Sequence, residues 1–152
     1  MNHEIRFAKE SDLDQLVELC RLHAEFEKSE YSKDGKKEGL KMNLFADPPS
    51  LYCLVAVDLD TGKLLGYASF MKQFSTWDAD FYIYMDCLYL KEESRGFGIG
   101  EKIMDRIKSE GNKLGCNLIQ WQTPKFNTRA IKFYNRIGGH SKDKERFFLS
   151  IE

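Results

Sequence analysis

Three glycines fall within six residues, Arg95-Gly96-Phe97-Gly98-Ile99-Gly100, between an apolar segment and a helical one. Tyr82 to Leu90 (YIYMDCLYL) is aromatic and apolar, as a strand would be. Ile99, Ile103 and Ile107 recur every four residues, the stripe of an amphipathic helix. A glycine-rich turn that opens a helix leaves backbone N–H groups unpaired and facing outward, and the helix dipole adds partial positive charge there. Such a corner suits a phosphate or pyrophosphate. A P-loop is excluded, because Glu101 stands five residues after Gly96, where that motif needs glycine. A Rossmann fingerprint is excluded as well. The spacing here is Gly96-x-Gly98-x-Gly100, it lies past mid-chain, and no acidic residue ends a strand near residue 120. The plainer alternative is a tight turn before a helix.

A second candidate lies near the N-terminus. Leu13, Leu16, Val17 and Cys20 follow i, i+3, i+4, i+7, which predicts a helix over 12–28. Ser11 is placed to cap it, with Asp12 and Asp14 in its first turn. Its far end, Glu25-Phe26-Glu27-Lys28-Ser29-Glu30, carries three carboxylates. They form either a solvated helix end or part of a pocket for a cationic ligand.

The elements that must position these groups follow from patterning. Strands are expected at 3–8, 51–57, 64–74, 82–90, 117–123 and 145–151, and helices at 12–28, 37–46, from the glycine corner to 113, and 128–136. Asp47-Pro48-Pro49-Ser50 stops the second helix. Gly66 inside a strand suggests a bulge or close packing, Gly115 a left-handed helix end, and Asn127 a helix cap closed off by Gly138-Gly139. The order β-α-α-β-β-β-α-β-α-β predicts an α/β (α+β) chain, a mixed sheet with helices on both faces. No repeat or linker divides it, so a single domain over 1–152 is expected.

Composition narrows the function. A net charge of −1, with basic residues interspersed among acids, argues against nucleic acid and anionic membrane as partners. No apolar run approaches the roughly 20 residues of a membrane span, and the start of the chain lacks an apolar signal region. Cys20, Cys53, Cys87 and Cys116 each sit in an apolar segment, as reduced thiols of a cytoplasmic protein would. His3, His23 and His140 are scattered, and none pairs with another metal-type ligand, so no metal is expected.

The glycine corner, R-G-x-G-I-G five residues beyond an apolar strand, resembles the acyl-CoA pyrophosphate loop of the GNAT N-acetyltransferases. The segment Asn127-x-x-Ala130-x-x-Phe133-Tyr134-x-x-x-Gly138-Gly139 resembles another stretch of that family. Phe74-Ser75-Thr76-Trp77, Asp86, the glycine corner, Gly115-Cys116 and Ala130-Ile131-Lys132-Phe133-Tyr134 together resemble the polyamine (diamine) and thialysine N-acetyltransferase branch. The likeness runs from Ile5 to Phe148.

The resemblance implies acetyl-CoA as cosubstrate and a small-molecule primary amine, of the polyamine, diamine or thialysine type, as acceptor; the alternatives are an amino acid, an aminoglycoside or a protein amine as acceptor, or a non-catalytic acyl-CoA-binding sensor. It also implies a fold with a mostly antiparallel central sheet and a homodimer. Leu88, Tyr89 and Leu90 would meet the acetyl and pantetheine groups. Arg95 to Glu101 (Gly96, Phe97, Gly98, Ile99 and Gly100 between them) would hold the pyrophosphate. Asn127, Thr128, Arg129 and Ala130 would meet the pantetheine and nucleotide end. Phe26, Glu27 and Trp77, with Gln120, Trp121 and Gln122, would line the amine side. Asp86 would be the base at the amine, directly or through water, and Tyr134 would meet the departing thiolate. The branch usually carries Glu-Asp on the central strand, where this chain has Asp86-Cys87. Cys87 has no histidine placed by sequence to make it a nucleophile.

Overall fold

A computed structural model describes all residues from Met1 to Glu152. Its elements are β1 (His3–Phe7), α1 (Leu13–Phe26), α2 (Lys36–Leu44), β2 (Tyr52–Asp58), β3 (Leu64–Ser75), β4 (Asp80–Leu90), α3 (Ile99–Lys113), β5 (Ile119–Gln120) and α4 (Thr128–Arg136). They fall into two compact units, Met1–Gln122 and Thr123–Glu152. The first holds one sheet in the order β1-β2-β3-β4-β5, antiparallel throughout except for the parallel β4–β5 pair. This is the mixed sheet that the order of elements predicts. No helix is long and apolar enough to cross a membrane.

Strand alternation sorts the core into two layers. Leu13, Leu16 and Leu19 of α1 pack with Val55, Val57, Tyr67 and Tyr89 in one buried cluster. Neighbouring strand residues point the opposite way. On that other face a Cβ at Gly111 of α3 would stand 2.9 Å from Ile83 Cγ1, so the helix lies close on the sheet. The isoleucine stripe predicted for α3 is buried there, as Ile99, Ile103 and Ile107. α1 and α3 therefore cover opposite faces.

Gly66 combines both roles expected of it. The β2–β3 ladder steps from Ala56↔Gly66 to Val57↔Leu64, a bulge. A Cβ at Gly66 would also stand 2.5 Å from the backbone oxygen of Tyr89 and run into the Leu90 side chain. Gly115 adopts φ 78°, the left-handed end expected after α3.

Three expectations need correction. Ser11 caps nothing. The turn before α1 is a 3-10 turn, Glu10–Asp12, where the Asp12 carboxylate takes the Lys9 N–H at 2.8 Å and the Arg6 guanidinium at 2.7 and 3.1 Å. A charge-assisted pair outweighs a neutral hydroxyl cap. The strand expected over 117–123 shrinks to two residues, and the Gln122 side chain donates to Tyr84 Oη at 2.6 Å. The closing strand over 145–151 does not form. That segment has a strand's composition but no ladder, and Phe147, Phe148, Leu149 and Ile151 stand exposed. β-Propensity describes fit to a neighbouring strand, and it cannot supply one.

In the second unit, α4 ends as expected, with Gly138 at φ 100° and the Gly139 N–H on Tyr134 O at 2.9 Å. Asn127 holds the cap position, but its Nδ2 donates to Thr123 Oγ1 at 3.1 Å and its side chain caps no amide.

Candidate active site

The glycine corner is made by backbone conformation. Gly96 and Gly98 take φ 88° and 77°, a region where L side chains are strained, and a Cβ at either would meet nothing within 4 Å. Their absent side chains therefore serve the turn itself and leave it open. Gly98 is the cap residue of α3, and Lys102 N–H to Gly98 O at 3.2 Å is a bond of its first turn. The amides of Ile99 and Gly100 lie ahead of any helical carbonyl. Gly96, Phe97 and Gly98 are exposed, so this donor set faces solvent at the positive end of a 15-residue helix. The donors suit a pyrophosphate and need no metal to do so. Behind them Arg95 Nε donates to Leu90 O at 3.1 Å, tying the corner to the end of β4.

β4 supplies the next part. Its register with β3 runs from Leu90↔Gly66 to Cys87↔Ser69 and resumes at Met85↔Phe70, so Asp86 is an extra, unpaired residue. A β-bulge of this kind bends the strand and re-aims side chains. It puts Met85 and Cys87 on opposite faces and leaves the Asp86 carboxylate exposed between them. On its other side β4 pairs with β5 only at Ile83 and Tyr84. Lys91 N–H bonds Leu65 O on β3 at 2.9 Å, so alternation turns the N–H groups of Leu90 and Leu88 away from β3. From Met85 to Leu90 that side has no strand paired to it. A carboxylate thus sits two residues from a backbone donor on an open strand edge, with the glycine corner just beyond.

The residues expected on the amine side are partly gathered. Phe26 lies 6.3 Å from Tyr89, ring centre to ring centre, and the Arg95 guanidinium stacks 4.8 Å over it. Glu27 is half-buried and hydrogen-bonded to His23 Nε2 at 2.8 Å. His23 stacks on Tyr89 at 5.2 Å and meets Tyr67 Oη through Nδ1 at 2.8 Å. Sequence reasoning missed both His23 and Tyr67. His23 could have been found, because it precedes Glu27 by four residues on a helix and so shares its face. Trp77 is not gathered. It stands 96% exposed at the tip of the β3–β4 hairpin, and Asp86 lies six residues beyond the pair that closes that hairpin, about 20 Å along the strand. Gln120 is exposed on β5, Trp121 is half-buried, and Gln122 is engaged with Tyr84.

Burial, reinforced by the Asp86 charge, pushes the Cys87 thiol up to about 12, and burial raises Cys20 as well. Both stay protonated at neutral pH, which fits the expectation that Cys87 is not a nucleophile. In the second unit Tyr134 is half-buried, with its ring tilted against Phe133 at 5.3 Å. Thr128 and Arg129 are exposed in the first turn of α4 and Ala130 is half-buried.

Comparison with known proteins bears on family and fold. The sequence profile of the acetyltransferase (GNAT) family matches residues 16–139. The chain is 33% identical over 140 residues to the thialysine N-epsilon-acetyltransferase of Bos taurus, covering 88% of this chain and 82% of that protein. It is 31% identical over 94 residues to a D-amino-acid N-acetyltransferase of Saccharomyces cerevisiae, covering 61% of this chain and 58% of that one. An aminoglycoside N-acetyltransferase in complex with CoA superposes with a TM-score of 0.81 at 16% identity, over 99% of this chain and 95% of that one. The chain belongs to the GNAT acetyltransferase family and is an N-acetyltransferase.

Proposed function

We propose that this enzyme moves the acetyl group of acetyl-CoA to a primary amine of a small molecule of the thialysine or polyamine type, by direct attack. The observation that carries this reading is the bulge at Asp86. It sets one carboxylate beside an open strand edge, close in sequence to a corner of backbone donors. An alkylamine has a pKa of about 10 and arrives protonated, so Glu27 and Asp86 attract it. Asp86 then takes its proton, directly or through water. The neutral amine attacks the thioester carbonyl, and the Leu88 N–H is the candidate donor for the developing oxyanion. Arg95, Gly96, Phe97, Gly98, Ile99, Gly100 and Glu101 are the proposed pyrophosphate segment. Asn127, Thr128, Arg129 and Ala130 are proposed to meet the rest of the coenzyme, and Tyr134 to protonate the thiolate. No covalent enzyme intermediate is required. Homodimerisation and a cytoplasmic location complete the proposal, both carried by resemblance.

The test is release of free coenzyme A thiol from acetyl-CoA in the presence of spermidine, spermine, putrescine, thialysine, lysine, an aminoglycoside and a lysine peptide. Turnover concentrated on the polyamines or thialysine supports the reading. The yeast relative favours one other acceptor, the amine of an amino acid. Turnover confined to amino acids would select that acceptor. Tyr134→Phe should lose turnover while still binding acetyl-CoA, and unchanged turnover would remove Tyr134 from the mechanism.

A further inference from the structure

Glu27 stands where a helix gives a carboxylate little support. It follows Phe26, the last residue of α1, at the negative end of the helix dipole, which disfavours an anion. The backbone there is fixed. Lys28 takes φ 61°, and two bonds close the helix end, Ser29 N–H to Ala24 O at 2.8 Å and Lys28 N–H to Glu25 O at 3.0 Å. A fixed backbone does not hold a long side chain, which would sample several rotamers if left to itself. The Glu27 side chain is held. His23 Nε2 lies 2.8 Å from its Oε2, and their side chains are 14% and 31% exposed, histidine first. Helix stability does not account for this pair. In an i,i+4 pair the better order puts the acid first, and here the basic residue comes first.

His23 is itself braced by two tyrosines. Its ring stacks on Tyr89, with centres 5.2 Å apart and planes 21° apart, which sets the plane of the imidazole. Nδ1 meets Tyr67 Oη at 2.8 Å, which selects one of the two ways the ring can lie in that plane. Turned over, the ring would put carbon atoms at both contacts. Tyr67 comes from β3 and is 3% exposed, in the apolar layer under α1. A phenylalanine would fill that place without burying a hydroxyl, which is costly to bury unless it is hydrogen-bonded. A carboxylate only accepts, so Nε2 carries hydrogen and donates to Glu27 in either charge state of the ring. In the neutral ring Nδ1 accepts from Tyr67 O–H.

We propose that His23 and Tyr67 are positioning residues for the acceptor, holding the Glu27 carboxylate in one place for the cation that it attracts. This rests on the acetyl-transfer reading with Glu27 on the amine side. His23 occupies Oε2, which leaves Oε1 for an ammonium. A carboxylate ordered in advance loses no further rotamer freedom when the amine arrives, so the brace strengthens binding without any contact of its own to the substrate. Its effect belongs to the amine alone. Proton removal at Asp86 and coenzyme binding at the glycine corner do not depend on it.

Tyr67→Phe deletes one hydroxyl, and His23→Leu removes the N–H while keeping bulk. The KM for spermidine and thialysine should rise by about threefold in Tyr67→Phe and about tenfold in His23→Leu. The kcat and the acetyl-CoA KM should stay within about twofold, the pattern of lost binding rather than lost chemistry. His23→Gln keeps an N–H near the Nε2 position and should recover most of the loss. The decisive readout is a cycle with Glu27→Gln. In that background neither substitution should raise the amine KM further, because both act through the Glu27 charge, whereas a merely structural role would make the effects add. NMR of the imidazole nitrogens should find hydrogen on Nε2 of His23 in the parent. The brace is overturned by an unchanged amine KM in His23→Leu, by a fall in kcat with KM unmoved, by additivity with Glu27→Gln, or by hydrogen on Nδ1 alone. If no amine turns over, the acetyl-transfer reading fails, and calorimetric titration of spermidine and thialysine onto the enzyme with coenzyme A decides the brace. Binding about tenfold weaker in His23→Leu than in the parent would uphold it, and equal binding would overturn it.

Discussion

The two halves of the candidate site are built by different means. The donor half is backbone: two left-handed glycines, the first amides of α3 and an open strand edge, all between Leu88 and Gly100. The amine half is side chain: Phe26, His23 and Glu27 from α1, Tyr67 from β3, and Asp86, Cys87 and Tyr89 from β4. Backbone recognition depends on local conformation, which a short stretch of sequence can encode by itself. Side-chain recognition depends on register between distant strands, and one residue more or less on β4 would turn Asp86 onto another face. The donor half should therefore tolerate change in the core better than the amine half does.

The largest effect expected separates the halves outright. Asp86→Asn keeps size and removes the proposed base, so kcat should fall by about 100- to 1000-fold while the acetyl-CoA KM stays put. Steady-state kinetics varying each substrate in turn measures this. If the acetyl-CoA KM rises in step with the loss of kcat, the bulge would belong to the donor half as well.

The same difference explains how much of the site could be read in advance. The glycine corner is contiguous, its turn and its isoleucine stripe are local signals, and the structure places both where the pattern puts them. The mixed sheet and the β2–β3–β4 meander follow from clear runs and turns. The bulge was not legible. YIYMDCLYL reads as an uninterrupted strand, and only the count of residues on β3 reveals that Asp86 has no partner. The His23–Tyr67 contact joins residues 44 apart and leaves no local trace. The missing closing strand fails for the complementary reason: its composition suits a strand, but pairing is a property of two segments.

Gly66→Ala probes the point where the halves share a support. The added methyl would meet the backbone oxygen of Tyr89 and the Leu90 side chain, and a strand carbonyl cannot step aside cheaply. A loss of about 1–3 kcal/mol in stability is expected, read by chemical denaturation. Since Tyr89 and Leu90 lie between the corner and Asp86, both substrate KM values should rise. A rise in only one would assign β4's end to that half.

Gly98→Ala tests the donor half alone. Alanine at φ 77° costs about 1–2 kcal/mol, roughly tenfold in acetyl-CoA binding if the strain falls on the corner. Calorimetric titration with coenzyme A measures it, and the amine KM should not move. Global destabilisation without weaker binding would mean that the corner is a turn and holds no phosphate.

The smallest effect concerns how the amine half is anchored. α1 carries Phe26, His23 and Glu27 at one end, and its other end is fastened to β1 through Asp12 and Arg6. Burial opposes the Asp12 charge, yet hydrogen bonds from Arg6 and from the Lys9 N–H prevail and hold its carboxyl below the usual range. A folded pKa below the unfolded value of about 3.9 means that the anion stabilises the fold fully above roughly pH 4. That contribution disappears as pH falls through the lower folded value. Asp12→Asn should therefore cost about 1.5–3 kcal/mol at pH 7, roughly 5 °C in Tm, and the gap to the parent should narrow progressively below about pH 4. Thermal melts by circular dichroism at pH 7, 5, 4 and 3 measure the gap. A gap that persists undiminished at pH 3 would mean that the hydrogen bond to Lys9, which asparagine's oxygen can also accept, is not what separates the two proteins. It would mean too that the charge on Asp12 is not what fastens α1, and the amine half would then owe its position to the apolar contacts of Leu13, Leu16 and Leu19.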